Sequence, residues 1–197
     1  LVDTRTPGFT RGQNLEKIGQ HAGDTSELFF EDMRVPLDAL LGGLEGQGFV
    51  QMMRELPRER LIIGVQAVHG ARGALDATLK YVQERQAFGQ AIGQFQNTRF
   101  TLAQCAADIA AAEAFLAMSV AAYERGELTP EAVSALKLHT TEVFGRVADA
   151  CLQLFGGYGY MAEYPISRFW TDARVLRIYG GTSEIMKELV ARALLGR

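Results

Sequence analysis

Cysteine is nearly absent from this sequence: Cys105 and Cys151 are the only two, and neither has a Cys or His nearby at metal-ligand spacing. This excludes a disulfide framework and a thiolate zinc site, and leaves two free thiols in helical-looking segments, as expected of a reducing compartment. A basic excess is also lacking. With a formal net charge of -3, no positive field draws a phosphate backbone, and nucleic acid is not an expected partner. No uninterrupted apolar run approaches the roughly 18 to 20 residues that cross a bilayer, so no membrane span is expected. The histidines are few and scattered (His21, His69, His139), none beside a nucleophile signature, and they read as structural. The chain opens Leu1-Val2-Asp3-Thr4 with no Met, charged leader or cleavage pattern, and reads as a piece of something longer.

What is present is an ordinary globular composition, 48% hydrophobic and 22% charged over 197 residues, enough for one sizeable domain or one domain plus part of another. Residues 1–42 are rich in turn formers (Pro7, Gly8, Gly12, Gly19, Gly23, Pro36) around one strand-like run, Glu27-Leu28-Phe29-Phe30-Glu31. A strand pair cannot bury both of its faces, so this segment is expected to be the tail of a larger sheet and to carry an exposed edge.

From Gly48 the apolar period becomes helical. Phe49, Met52, Met53, Leu56, Ile63, Ala67, Val68, Ala71, Leu75 and Leu79 predict one long helix to about Glu84, kinked where Pro57 removes an N–H and crowds the Met53 carbonyl. A loop with Gly89 and Gly93 precedes a second helix from about Gln96 to Arg125. Thr129-Pro130-Glu131 supplies a cap, a first-turn proline and a first-turn acid for a third helix, whose stripe runs from Val133 through Leu136, Thr140, Val143, Val147 and Cys151 to Leu154. Gly156-Gly157 stops it. A shorter helix near Pro165–Arg177 and a last one over Glu184–Leu195, capped by Thr182 or Ser183, complete the chain. The expected fold is mainly α, an antiparallel four-helix-type bundle over residues 43–197, preceded by the β remnant of residues 1–42.

Periodicity names no function, but four motifs do. Tyr81-x3-Arg85-x2-Phe88-Gly89-x2-Ile92-x2-Phe95-Gln96, the run Gln153 to Tyr160 followed by Glu163-Tyr164-Pro165, and Asp172-Ala173-Arg174 with Ile178 to Ile185 resemble the signatures of the acyl-CoA dehydrogenase C-terminal domain. Thr6-Pro7-Gly8 and Leu28 to Pro36 are similar to the end of that family's middle β-domain. The resemblance covers nearly the whole chain in the family's order. It implies FAD as cofactor, with Arg85, Phe88, Gln96, Gln153, Gly156, Gly157, Thr182 and Glu184 as cofactor-binding residues, in a site shared across a subunit interface. It further implies an acyl-CoA substrate, an electron-transfer flavoprotein as reoxidant, a homotetramer built as a dimer of dimers, and a bacterial cytoplasm or mitochondrial matrix as compartment.

The implied reaction removes the proton α to a thioester carbonyl and passes hydride from the β carbon to the flavin, so a carboxylate must face the α carbon. In much of the family that glutamate stands where this chain has Gly180. Glu55-Leu56-Pro57-Arg58-Glu59-Arg60-Leu61 instead resembles the long-chain branch, which puts the base at Glu59 and leaves Gly180 to donate its backbone N–H to the thioester oxygen. Arg60 resembles the family's CoA-binding arginine; Pro57, Arg58, Gly180 and Gly181 are further candidates for the substrate site. Two alternatives stay open: a noncatalytic flavin- or ligand-binding member, favoured by Gly180, and an acyl-CoA oxidase.

Overall fold

The computed structural model describes residues 1–196 and divides into two compact units, Leu1–Glu55 and Leu56–Arg197. In the first unit, β1 (Phe9–Asn14) pairs antiparallel with β2 (Ser26–Phe30). Phe9 lies opposite Phe30 and Arg11 opposite Leu28, and the register shifts before Asn14 meets Ser26. The rings of Phe9 and Phe30 meet edge to face at 5.5 Å, a cross-strand contact of the kind that stabilises a hairpin. Leu28, Phe29 and Phe30 remain exposed.

Five helices follow. α1 (Gly48–Glu84) begins in the first unit and continues through the second, and Pro57 lies inside it without ending it. α2 (Gln96–Glu124), α3 (Pro130–Phe155), α4 (Pro165–Leu176) and α5 (Ser183–Leu195) match the expected helices within one or two residues. Their starts are chemically marked. The Thr129 side chain accepts from the Ala132 N–H ahead of Pro130, and the Thr182 side chain accepts from the Ile185 N–H. Each satisfies an amide that the helix itself cannot.

Side-chain contacts give the helix directions. Between α2 and α3, Cys105 meets Cys151, Asp108 meets Arg146 and Phe115 meets His139, so the two run antiparallel. Between α1 and α3, Gly64 faces Leu136, Gly70 faces Phe144 and Tyr81 stacks on Phe155, so those two run parallel. α4 runs back along α3, with Arg177 over Gly145 and Trp170 bonded to Asp149. α3 is the central helix: Val133, Leu136, Val143, Val147, Ala148 and Cys151 are all buried. α1 approaches it closely because a Cβ at Gly64 would stand 3.1 Å from Leu136, and one at Gly70 2.6 Å from Phe144. Cys105 and Cys151 are both buried and free.

Two features were not expected from the sequence pattern. The loop after α1 holds a small hairpin, β3 (Gln86–Ala87) with β4 (Gln90–Ala91). Its two turn residues, Phe88 and Gly89, both have positive φ, which matches the twist of a two-residue hairpin. α2 is also long and apolar enough to cross a membrane by length and composition, with an 18-residue window of mean hydropathy 1.6 of which 28% is buried. Its alanines raise hydropathy without forming an obvious greasy run. Cys105, Ile109, Ala112 and Leu116 on this helix belong to the bundle core.

Because Leu136 is fully buried against Gly64 of α1, Leu136→Ala should destabilise by about 2–5 kcal/mol in chemical denaturation. A loss below about 0.5 kcal/mol would mean that this contact does not hold the bundle.

Candidate functional site

Two groups of side chains form at opposite ends of α3. The first surrounds a groove of about 630 Å³, lined among others by Tyr81, Arg85, Gln153, Gly156, Gly157 and Tyr158. Its wall includes Tyr81 and Phe155, stacked at 4.0 Å and nearly coplanar; Tyr164, outside the lining, meets Tyr81 edge-on at 6.2 Å. The Arg85 guanidinium sits over the Tyr158 ring at 5.3 Å, a cation–π contact that leaves its planar N–H edge available. Gly156 ends α3 at φ +58, and a Cβ at Gly156 or Gly157 would meet nothing within 4 Å. A ligand can therefore approach this backbone closely.

Phe88 and Gln96 lie on the neighbouring hairpin and at the first turn of α2. Phe88 is 95% exposed, and it also takes φ +52. A large residue in the left-handed region carries a backbone cost, here met within a two-residue hairpin turn. Sequence reasoning singled out Arg85, Gln153, Gly156 and Gly157, which converge here; it did not assign Tyr81, Phe155 and Tyr158 to the site. This groove combines a flat aromatic wall, a cation and open backbone, and so fits a planar group attached to an anionic one.

The second group surrounds the turn between α4 and α5. Gly180 and Gly181 take φ +64 and +101. Arg60, from α1, is only 7% exposed; its Nε donates to the Gly180 carbonyl at 3.2 Å and its Nη1 to Ser134 Oγ at 3.4 Å. These bonds of Arg60 are made inside the protein, on the turn. Burial holds the guanidinium below its ordinary pKa, and the neighbouring Glu59 carboxylate opposes that shift. Lys137, from α3, is 0% exposed and its Nζ donates to the Gly181 carbonyl at 2.5 Å. Burial first, and Arg60 second, push its pKa down to about 8, with Glu142 opposing. Glu142 accepts from Ser183 Oγ at 2.8 Å and pairs with Arg177 at 3.4 Å.

Glu59 and Arg58 are exposed on α1, and Pro57 is half-buried. The covered neighbour of Glu59 is Ile63, one turn further on: a Cβ built at Gly180 would stand 2.5 Å from Ile63 Cδ1. The space a side chain at position 180 would need is thus occupied by the helix that bears Glu59. Tyr179 donates to Gln66 Oε1 at 2.8 Å, tying the same turn to the next part of α1. Thr182 and Glu184 serve as cap and first-turn acid of α5. The Glu184 carboxyl is held below its usual range, first by its own backbone N–H and then by Thr182.

The structure therefore divides the expected residues: Arg85, Phe88, Gln96, Gln153, Gly156 and Gly157 towards one end of α3, and Glu59, Arg60, Gly180, Gly181, Thr182 and Glu184 towards the other. Lys137 and Gln153 stand for the two ends, roughly 24 Å apart at ~1.5 Å per residue. Gly180→Ala should cost about 2–4 kcal/mol, from positive φ and the Ile63 clash together. In an Ile63→Val background, which removes Cδ1, the same change should cost about 1–2 kcal/mol less. Equal costs in both backgrounds would show that Ile63 does not set the space.

Comparison with known proteins shows the family. The profile described as "Acyl-CoA dehydrogenase, C-terminal domain" matches residues 46–195. The long-chain specific acyl-CoA dehydrogenase of Sus scrofa mitochondria is 45% identical over 99% of this chain and 45% of its own length. An acryloyl-CoA reductase (NADH) of Anaerotignum propionicum is 40% identical over all of this chain and 50% of its own. The crystal structure of an acyl-CoA dehydrogenase from Geobacillus kaustophilus superposes with a TM-score of 0.95 at 44% identity, covering 98% of this chain and 50% of that one. The chain spans about half the length of these relatives. With a family profile over most of its residues and such identity over nearly all of them, the chain belongs to the acyl-CoA dehydrogenase family.

Proposed function

We propose that the intact protein carrying this chain catalyses FAD-dependent α,β-dehydrogenation of a medium- or long-chain acyl-CoA to the trans-2-enoyl-CoA, with Glu59 as the α-proton base. The observation that carries this reading is the packing of Ile63 into the space beside Gly180, one helical turn from Glu59. A carboxylate on the turn is displaced, and the element that displaces it offers one of its own. Glu59 takes the α proton, a hydride leaves the β carbon, and the α–β double bond forms. Bound FAD supplies the hydride acceptor. The Gly180 N–H donates to the thioester oxygen as enolate charge develops. Arg60 serves the substrate by holding the turn, while Pro57, Arg58 and Gly181 border the acyl-CoA.

For the cofactor, Arg85, Gln153, Gly156 and Gly157 hold the anionic and flat parts of FAD, Phe88 and Gln96 extend that contact, and Thr182 and Glu184 approach it from the other end. Two groups at opposite ends of α3 fit contributions from two copies of the chain to each cofactor, in a homotetramer arranged as a dimer of dimers. An electron-transfer flavoprotein takes the electrons onward. Residues 1–42 form the tail of a middle β-domain and residues 43–197 the C-terminal bundle; its compartment is a bacterial cytoplasm or a mitochondrial matrix, as in the relatives' own sources.

A second reading, a family member that binds without turnover, is favoured by Gly180 and by the exposure of Glu59. Anaerobic mixing of the intact protein with a long-chain acyl-CoA separates the two, because dehydrogenation bleaches the flavin and binding alone does not. Glu59→Gln should retain flavin and lose about two to four orders of magnitude in turnover. Turnover near that of the unaltered protein would remove Glu59 from the mechanism.

A further inference from the structure

We infer that Lys137 is a positioning residue for the Gly180–Gly181 turn: its ammonium holds the Gly181 carbonyl from inside the bundle and so steadies the turn that carries the Gly180 N–H. The inference rests on the reading of that turn as the thioester site.

Lys137 is the largest fully buried side chain among the described residues. Among the described residues no carboxylate lies within ion-pair distance of it, and its hydrogen bond goes to the Gly181 carbonyl. Packing alone does not account for a cation here, since a methionine of similar length fills the same volume without desolvating a charge. The bond itself is what the charge supplies. The turn needs such an anchor: its two glycines take φ +64 and +101, and glycine has little preference of its own to hold that shape. Arg60 seats the Gly180 carbonyl and Lys137 the next one, so two successive peptide groups are pinned from α1 and α3. On the far side the Ser183 N–H closes onto the Arg177 carbonyl at 3.1 Å.

The charged groups around the ammonium are Arg60 on α1, Glu142 on α3 itself, and Arg177 after α4, which is engaged by Glu142. Glu142 is shared with Ser183 and Arg177, so it opposes the proton loss only in part. With its pKa pushed down to about 8, Lys137 becomes a neutral and weaker donor in mildly alkaline solution. Turn placement, and with it the rate of proton abstraction, should then fall as pH rises through about 8.

The test uses the intact, flavin-loaded protein and anaerobic mixing with a long-chain acyl-CoA, following flavin bleaching from pH 6 to 9.5. Lys137→Met should bleach about tenfold or more slowly at pH 7, with acyl-CoA affinity within about threefold, and should lose the alkaline decline near pH 8. Lys137→Gln, which keeps an N–H donor of similar size, should recover part of the rate; a space-filling role would treat the two variants alike. Bleaching by Lys137→Met at the unaltered rate overturns the inference while leaving the dehydrogenase reading intact. If Lys137→Met fails to retain flavin, the unaltered protein decides: a decline near pH 8 supports the inference and a flat profile overturns it. Absence of bleaching in the unaltered protein overturns the dehydrogenase reading, and this inference with it.

Discussion

Two buried cations on two successive carbonyl oxygens fix the point where α1, α3 and the start of α5 come together. Removing a cation from water costs several kcal/mol after relaxation, and among the described residues neither Arg60 nor Lys137 has a carboxylate as its direct hydrogen-bond partner. The compensation comes from the Gly180 and Gly181 carbonyls, which a turn of this geometry directs inward, and from the Glu59 charge felt by Arg60. The turn depends on the cations for its shape, and the cations depend on the turn for their solvation. Ile63 completes the arrangement by occupying the space that a side chain at position 180 would need.

The other end of the bundle obeys a different constraint. There the need is for an open, flat surface, and the stacked Tyr81 and Phe155 provide it while Gly156 turns the chain away. α3 joins the two ends and holds their separation, because its stripe is buried against α1 on one side and α2 on the other. The parallel run of α1 beside α3 puts Arg60 near the turn and Arg85, the residue just past the end of α1, near the groove.

Helices, caps and stops were legible in the sequence because their chemistry is local. Thr129-Pro130 and Thr182 act within one turn, and the apolar stripe of α3 is repeated often enough to be unmistakable. The β3–β4 hairpin was not legible: Gln-Ala pairs carry no strand preference, and Phe at a positive φ contradicts the usual turn chemistry. Nor did the apolar character of α2 stand out, since alanine contributes hydropathy in small increments. The site residues were named through family motifs, but their division between two ends was not, because it depends on contacts such as Arg60 to Gly180 across 120 positions. Lys137 left one faint signal, a lysine four residues after Val133 and three before Thr140, on a face that is otherwise buried. A charge on such a stripe normally reads as an interruption; here it is bonded to the turn.

The proposed chemistry requires that the carboxylate reach the substrate from α1. The direct measurement is a crystal structure of the intact, flavin-loaded protein with a non-oxidisable acyl-CoA analogue. The result expected is a Glu59 carboxylate oxygen within about 3.5 Å of the α carbon, with the Gly180 N–H directed at the carbonyl oxygen. A Glu59 side chain left in bulk solvent, with a different acid facing that carbon, would contradict it.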